Sequence, residues 1–142
     1  MLKLMFLTEQ FYRDHADCKE IEQKITRPYA QIQIMVNGVL WGIPLRSHIR
    51  HEHVIWTDKE NNCGIDLTKA VAILRPEQYI GSEKPHIREN EFQVLKTIDE
   101  YRVRSKFESY IKAYKKAKRK QNVTRNRNLV MYSTLQYFED YI

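Results

Sequence analysis

Arg27-Pro28-Tyr29-Ala30-Gln31-Ile32-Gln33-Ile34-Met35-Val36-Asn37-Gly38-Val39-Leu40-Trp41-Gly42-Ile43-Pro44-Leu45 is the stretch whose reading decides the fold. Pro28 forces Arg27 to be extended, because the proline ring clashes with a helical conformation in the residue before it. From there Ala30, Ile32, Ile34 and Val36 alternate with Tyr29, Gln31, Gln33 and Met35, the two-residue period of a strand. Asn37-Gly38 supplies a tight turn of the type that matches strand twist, and Val39 to Leu45 returns. The stretch therefore reads as a β-hairpin whose open end runs into Arg46-Ser47-His48-Ile49-Arg50-His51-Glu52-His53.

Outward from the hairpin, Leu2 to Leu7 reads as a short apolar strand. Thr8 to Lys24 is a partly helical stretch in which Phe11, Tyr12, Ala16 and Ile21 share a face. His53 to Trp56 and the apolar Ala70 to Leu74 are expected to be further strands, with a polar turn over Asp58 to Asn62. From Glu89 the period changes: Phe92, Leu95, Ile98, Phe107, Tyr110, Ile111, Tyr114 and Ala117 recur at three- and four-residue steps, which predicts one long helix ending near Lys120. Asn122 to Asn128 is expected to break it before a last helix striped by Leu129, Tyr132, Leu135, Phe138 and Ile142. Strands with too few residues between them for crossover helices, followed by helices, predict an α+β domain with a mostly antiparallel sheet. At 142 residues, one domain over 1–142 is expected.

The net charge of +6 is unevenly spread. Arg102 to Arg127 holds 11 Lys or Arg and one acidic residue, Glu108, or +10; the remaining 13 basic and 17 acidic side chains give −4. Such a segment repels itself and suits a polyanion. Lys112, Lys115, Lys116, Lys118, Arg119, Lys120 and Arg125 are its candidate contacts, with Arg27 and Arg50 beside the hairpin. The opening apolar run is too short for a signal peptide or a membrane span, so a cytoplasmic protein with no membrane partner is expected. Cys18 and Cys63 lie far apart and are expected to be unpaired.

Three of five histidines fall between 48 and 53. H-x-x-H-x-H lacks the cysteines of a closed zinc site and the helical context of a hydrolytic one, and Arg46 and Arg50 repel a divalent cation, so no metal or other cofactor is expected. In an extended segment His51 and His53 share a face while His48 points away. The same residues suit metal-free cleavage of RNA, in which the 2′-hydroxyl attacks the neighbouring phosphate. Imidazole can move the protons, arginine can clamp two phosphate oxygens, and Ser47 can donate to a third. Hairpin pairing brings Arg27 and Tyr29 close to Leu45 and Ser47. The competing readings are ordinary ones: His48 as a turn residue, His53 as a satisfied strand residue, and Asp66 and Lys69 as a local ion pair or cap. A noncatalytic RNA-binding or interaction module would use the same basic segment, and no short helix-turn-helix pair favours DNA.

Arg27-Pro28-Tyr29, the hairpin, Ile43-Pro44-Leu45-Arg46-Ser47-His48-Ile49, Gly64-Ile65-Asp66-Leu67-Thr68-Lys69-Ala70 and Tyr132-Ser133-Thr134-Leu135-Gln136-Tyr137-Phe138 together resemble the toxins of type III toxin-antitoxin systems. The family is that of ToxN/AbiQ-like endoribonucleases, and the branch nearest in pattern is TenpN/CptN-like. The resemblance implies a curved, barrel-like antiparallel core similar to the Kid and MazF toxins, with long C-terminal helices. It implies a metal-independent ribonuclease leaving 2′,3′-cyclic phosphate and 5′-hydroxyl ends. It also implies a structured RNA antitoxin of repeated pseudoknots, processed and then held by the toxin in closed protein–RNA rings. Ser47 matches the family's serine directly, while Tyr29 and Arg46 stand where relatives carry lysine and threonine. Tyr29, Arg46 and Ser47 are accordingly expected at the scissile phosphate, with His48 or His51 handling a proton.

Overall fold

The computed structural model describes residues 1–22 and 28–142. Among the described residues six strands form one sheet: β1 (Lys3–Met5), β2 (Gln31–Val36), β3 (Val39–Arg46), β4 (Val54–Asp58), β5 (Cys63–Asp66) and β6 (Val71–Ala72). The order is β1-β2-β3-β5-β4, with β6 also on β3, and every pair is antiparallel. The hairpin register runs from Gln31 opposite Pro44 to Val36 opposite Val39, and the turn has positive φ at both Asn37 and Gly38, as Asn-Gly predicts. The sheet is antiparallel and flanked by helices, as expected, but its path is open, with β1 and β4 at its ends, and does not close into a barrel.

β3 is the spine. One side pairs with β2 from Val39 to Pro44, while the other pairs first with β6, at Trp41 and Gly42, and then with β5, at Leu45 and Arg46. Only Ile43 and Pro44 lie between those pairings, against Asp66 to Ala70 on the other strand. The surplus is absorbed by a single 3₁₀ turn, Leu67–Lys69, with Asp66 as its cap. Leu45 N–H donates to Ala30 toward β2, so the nitrogen of Pro44 faces the interruption, where a missing N–H costs no ladder bond. At Gly64, opposite Arg46, a Cβ would sit 2.6 Å from the Ile55 carbonyl oxygen, so β4 and β5 close together only over a glycine.

The helices are α1 (Glu9–Asp14), α2 (Pro76–Tyr79), α3 (Glu89–Leu95), α4 (Glu100–Lys118) and α5 (Thr124–Tyr132). The long helix expected from Glu89 is two helices. Asp99 is extended and its carboxylate accepts from Arg102 N–H at 2.8 Å, which starts α4 afresh. The break expected over Asn122 to Asn128 is mostly the first half of α5; the final helix expected from Leu129 is helical only to Tyr132, the end of α5, and continues as two 3₁₀ turns, Thr134–Tyr137 and Glu139–Tyr141. The early helix is only α1, capped by Thr8; Phe11, Tyr12 and Ile21 are buried, Ala16 is exposed, and Lys24 lies outside the described residues. The expected strand over Ala70 to Leu74 shrinks to Val71–Ala72, and Leu74 is exposed.

α4 buries Val103, Phe107, Tyr110, Ile111, Tyr114 and Ala117 and packs on β2, with Phe107 edge-on to Trp41 at 5.0 Å between ring centroids. Trp41, Phe107, Ile43, Ile65 and Leu135 are fully buried, each worth roughly 2–3 kcal/mol in removed apolar surface. Among the described residues no helix is long and apolar enough to cross a membrane. Both cysteines are free, Cys63 buried and Cys18 partly so.

Candidate functional site

The interruption between β5 and β6 carries a dense polar cluster centred on Asp66. Asp66 is completely buried, and its two oxygens are saturated. Oδ2 accepts from Arg46 Nη1 at 2.9 Å; Oδ1 accepts from Thr68 N–H at 3.0 Å, from Thr68 Oγ1 at 2.6 Å and from His51 Nε2 at 3.1 Å. Burial alone would raise its pKa, but the His51, Thr68 and Arg46 contacts outweigh burial and hold the carboxyl at about 2. Asp66 is thus a permanent anion that fixes a guanidinium and an imidazole. It caps the 3₁₀ turn, as one sequence reading held, but its ion pair is with Arg46 and His51; Lys69 turns away to Glu20 at 3.6 Å and to the Tyr132 carbonyl oxygen at 2.9 Å.

Arg46 is committed on both arms. Its second terminal nitrogen pairs with Glu22, whose other oxygen accepts from Tyr29 O–H at 2.8 Å, and the guanidinium lies over the Tyr29 ring, 5.4 Å from the centroid. Burial opposes its charge, yet Asp66 and Glu22 keep its pKa above the ordinary arginine value. Glu20 and Glu22 therefore lie directly against the two cations, Lys69 and Arg46, that a phosphate would seek.

The loop from Ser47 to His53 decides which histidine faces the cluster. His48 takes a left-handed conformation, φ 59°, Ile49 is buried, and Ile49 N–H is pinned to the Asn62 carbonyl oxygen at 3.0 Å. Ser47 and His48 are exposed and bond each other, Oγ to Nδ1 at 3.0 Å. Residues 51–53 form a bend and not the extended segment in which the two side chains were expected to share a face, and the bend leaves the rings of His51 and His53 6.0 Å apart. His51 Nδ1 accepts from His53 N–H at 3.1 Å, which makes Nε2 the proton-bearing nitrogen aimed at Asp66. Both of its nitrogens are thereby occupied. His53 has no side-chain hydrogen bond among the described residues; its ring packs on Tyr110 at 5.1 Å, and burial first of all pushes its pKa below 6.5.

These residues open onto a cleft of about 480 Å³ lined by Arg46, His51, His53, Lys69, Arg125 and Tyr132, among others. Of the residues singled out in the sequence, Tyr29, Arg46 and His51 come together around Asp66 and Glu22, and Arg125 lines the cleft. Ser47, His48 and the exposed Arg50 stand outside its lining, and Arg27 lies outside the described residues. Lys112, Lys115, Lys116 and Arg119 recur at i, i+3, i+4 and i+7 along the exposed face of α4, whereas Lys118 pairs with Glu139 and Lys120 is exposed just past the helix. His53, Lys69 and Tyr132 line the cleft although the sequence reading did not place them among the site residues, and Asp66, read as a cap or local ion pair, is fully buried beside Arg46 and His51; the clustering of histidines was the one local signal for His53. Among the described residues no three His, Cys, Asp or Glu side chains group as metal ligands would. No family model, curated protein or solved structure matches the chain.

Proposed function

We propose that the chain is a metal-independent endoribonuclease of the type III toxin class, working in the cleft between the β5–β6 interruption and α5. The observation that carries the reading is the unbonded imidazole of His53, held neutral by burial, in a cleft shared with Lys69 and Arg125. His53 takes the proton of a 2′-hydroxyl as O2′ bonds to phosphorus and the P–O5′ bond breaks. Lys69 supplies a proton to the departing 5′-oxygen, and the products are a 2′,3′-cyclic phosphate and a 5′-hydroxyl. Arg125 and Arg46, the latter once Glu22 is displaced, balance charge on the nonbridging oxygens. Asp66, Thr68 and His51 position Arg46 and do not touch substrate. The lysine stripe of α4 suits a structured RNA antitoxin of pseudoknot repeats in a closed protein–RNA assembly, and single-stranded RNA is the substrate.

The second reading is a noncatalytic RNA-binding module, favoured by one observation: both arms of Arg46 and both nitrogens of His51 are already engaged. Cleavage of single-stranded RNA by the purified chain in EDTA, with His53→Ala beside it and the 3′ ends analysed, separates the two. Cyclic phosphate ends that vanish in His53→Ala, with RNA affinity intact, are expected. Tight binding with no cleavage by the wild type would leave only the binding module.

A further inference from the structure

α5 has no buried residue of its own, yet its last turn and the residues that follow it are tied down by side-chain hydrogen bonds. Lys69 Nζ donates to the Tyr132 carbonyl oxygen at 2.9 Å. Ser133 is fully buried and accepts from Tyr110 O–H at 2.6 Å, and Thr134 Oγ1 reaches the Thr68 and Ala70 carbonyl oxygens at 3.1 and 2.5 Å. Gln136 Nε2 caps the end of the helix through the Met131 and Ser133 carbonyl oxygens at 2.7 and 2.8 Å. In spite of this anchoring the Tyr132 side chain is 57% exposed, and its hydroxyl has no partner among the described residues.

Arg125, Asn128, Leu129 and Tyr132 all line the cleft. Their spacing of three, four and seven residues puts them on one face of the helix, over about 10 Å of its axis. That face carries in sequence a cation, an amide, an apolar side chain and an aromatic ring, which is what an unpaired nucleotide needs: charge for its phosphate, a donor and acceptor for its base edge, and a flat apolar surface for its base. An aromatic ring on a fixed backbone loses little freedom when a base lies on it, and Lys69, bonded to the carbonyl of Tyr132 itself, stands beside that base. A protein or lipid partner would find this apolar surface small and ringed by Arg46, Lys69 and Arg125.

We propose that Tyr132 and Leu129 form a base-stacking subsite for an unpaired nucleotide of single-stranded RNA, with Asn128 reading the base edge and Arg125 the adjoining phosphate. The inference rests on the RNA-directed reading of the cleft but not on catalysis. Its test is binding, measured by fluorescence anisotropy with short 2′-O-methyl RNA strands, which cannot be cleaved by 2′-hydroxyl attack. The same sugar–phosphate strand without bases serves as the second probe. Tyr132→Ala is expected to weaken binding of the base-carrying strand roughly five- to hundredfold, Tyr132→Phe to leave it unchanged, and neither to alter the affinity for the abasic strand. Equal loss on both strands, or no loss on either, overturns the subsite. Cleavage of ordinary RNA is scored separately. Base-dependent loss in a chain that does not cleave keeps the subsite and removes the nuclease, whereas cleavage and binding untouched by Tyr132→Ala keep the nuclease and remove the subsite.

Discussion

Replacing Asp66 with asparagine keeps the shape of the side chain and removes the one charge around which the cluster is built. With the folded carboxyl at about 2 and the ordinary value at 3.8, ionisation of Asp66 contributes about 2 kcal/mol to folding at neutral pH. Asparagine also leaves donors from Arg46, Thr68 and His51 competing for a single acceptor oxygen, and breaking a buried pair costs roughly 3–5 kcal/mol. Arg46 keeps Glu22, so the low end applies, and Asp66→Asn is expected to lose about 3 kcal/mol at pH 7. The folded value lies below the ordinary one, so the wild-type advantage is complete above about pH 4 and is lost as pH falls toward 2. The assay is urea unfolding followed by tryptophan fluorescence, since Trp41 is fully buried, repeated from pH 7 downward. At a slope of about 2 kcal/mol/M the midpoints should differ by about 1.5 M at pH 7 and converge to within about 0.5 M near pH 2. A gap that stays constant over that range would refute the reasoning, because the loss would then come from packing or geometry and not from the charge.

Glu22→Gln removes an anion from beside Arg46; RNA affinity should rise and its log–log salt slope steepen by about one, and weaker binding would mean that Glu22 supports the site and does not compete for it. Removing the charges of Lys112, Lys115, Lys116 and Arg119 together should flatten the salt slope by about three to four for a structured RNA, and an unchanged slope in a binding titration would show that the stripe does not face the nucleic acid. His48→Gly relieves a left-handed residue and should raise stability by about 1 kcal/mol in thermal unfolding with RNA cleavage retained; loss of cleavage would return the proton-transfer role to His48. Gly64→Ala forces β4 away from β5 and should cost roughly 2–3 kcal/mol, with a normal melting temperature as the contrary result.

The hairpin was readable because everything that specifies it is local: a two-residue period, a proline that sets its start and an Asn-Gly turn. The division between α3 and α4 was not, since Ile98 is buried and keeps the apolar rhythm going through the break, while the only stop signal is the capping Asp99. α5 was misplaced for a related reason. None of its residues is buried and its Arg125, Asn128, Leu129 and Tyr132 line the cleft, so Leu129 and Tyr132 alone were too short an apolar pattern to set where it starts. Within the site, Tyr29 beside Arg46 followed from hairpin register. Asp66 beside Arg46 needed the pairing of β3 with β5, and Lys69 beside Tyr132 spans 63 residues. No periodicity reaches across such distances.

The ties between the 3₁₀ turn after β5 and the segment that follows α5 also order events in time. The hairpin is made of near neighbours and can form as soon as residue 46 has been synthesised, whereas the cleft has only one wall until Tyr132 and Thr134 exist to grip Lys69, Thr68 and Ala70. A ribosome translating this chain therefore carries an emerging β-sheet with only one wall of the cleft for more than half of the chain's synthesis.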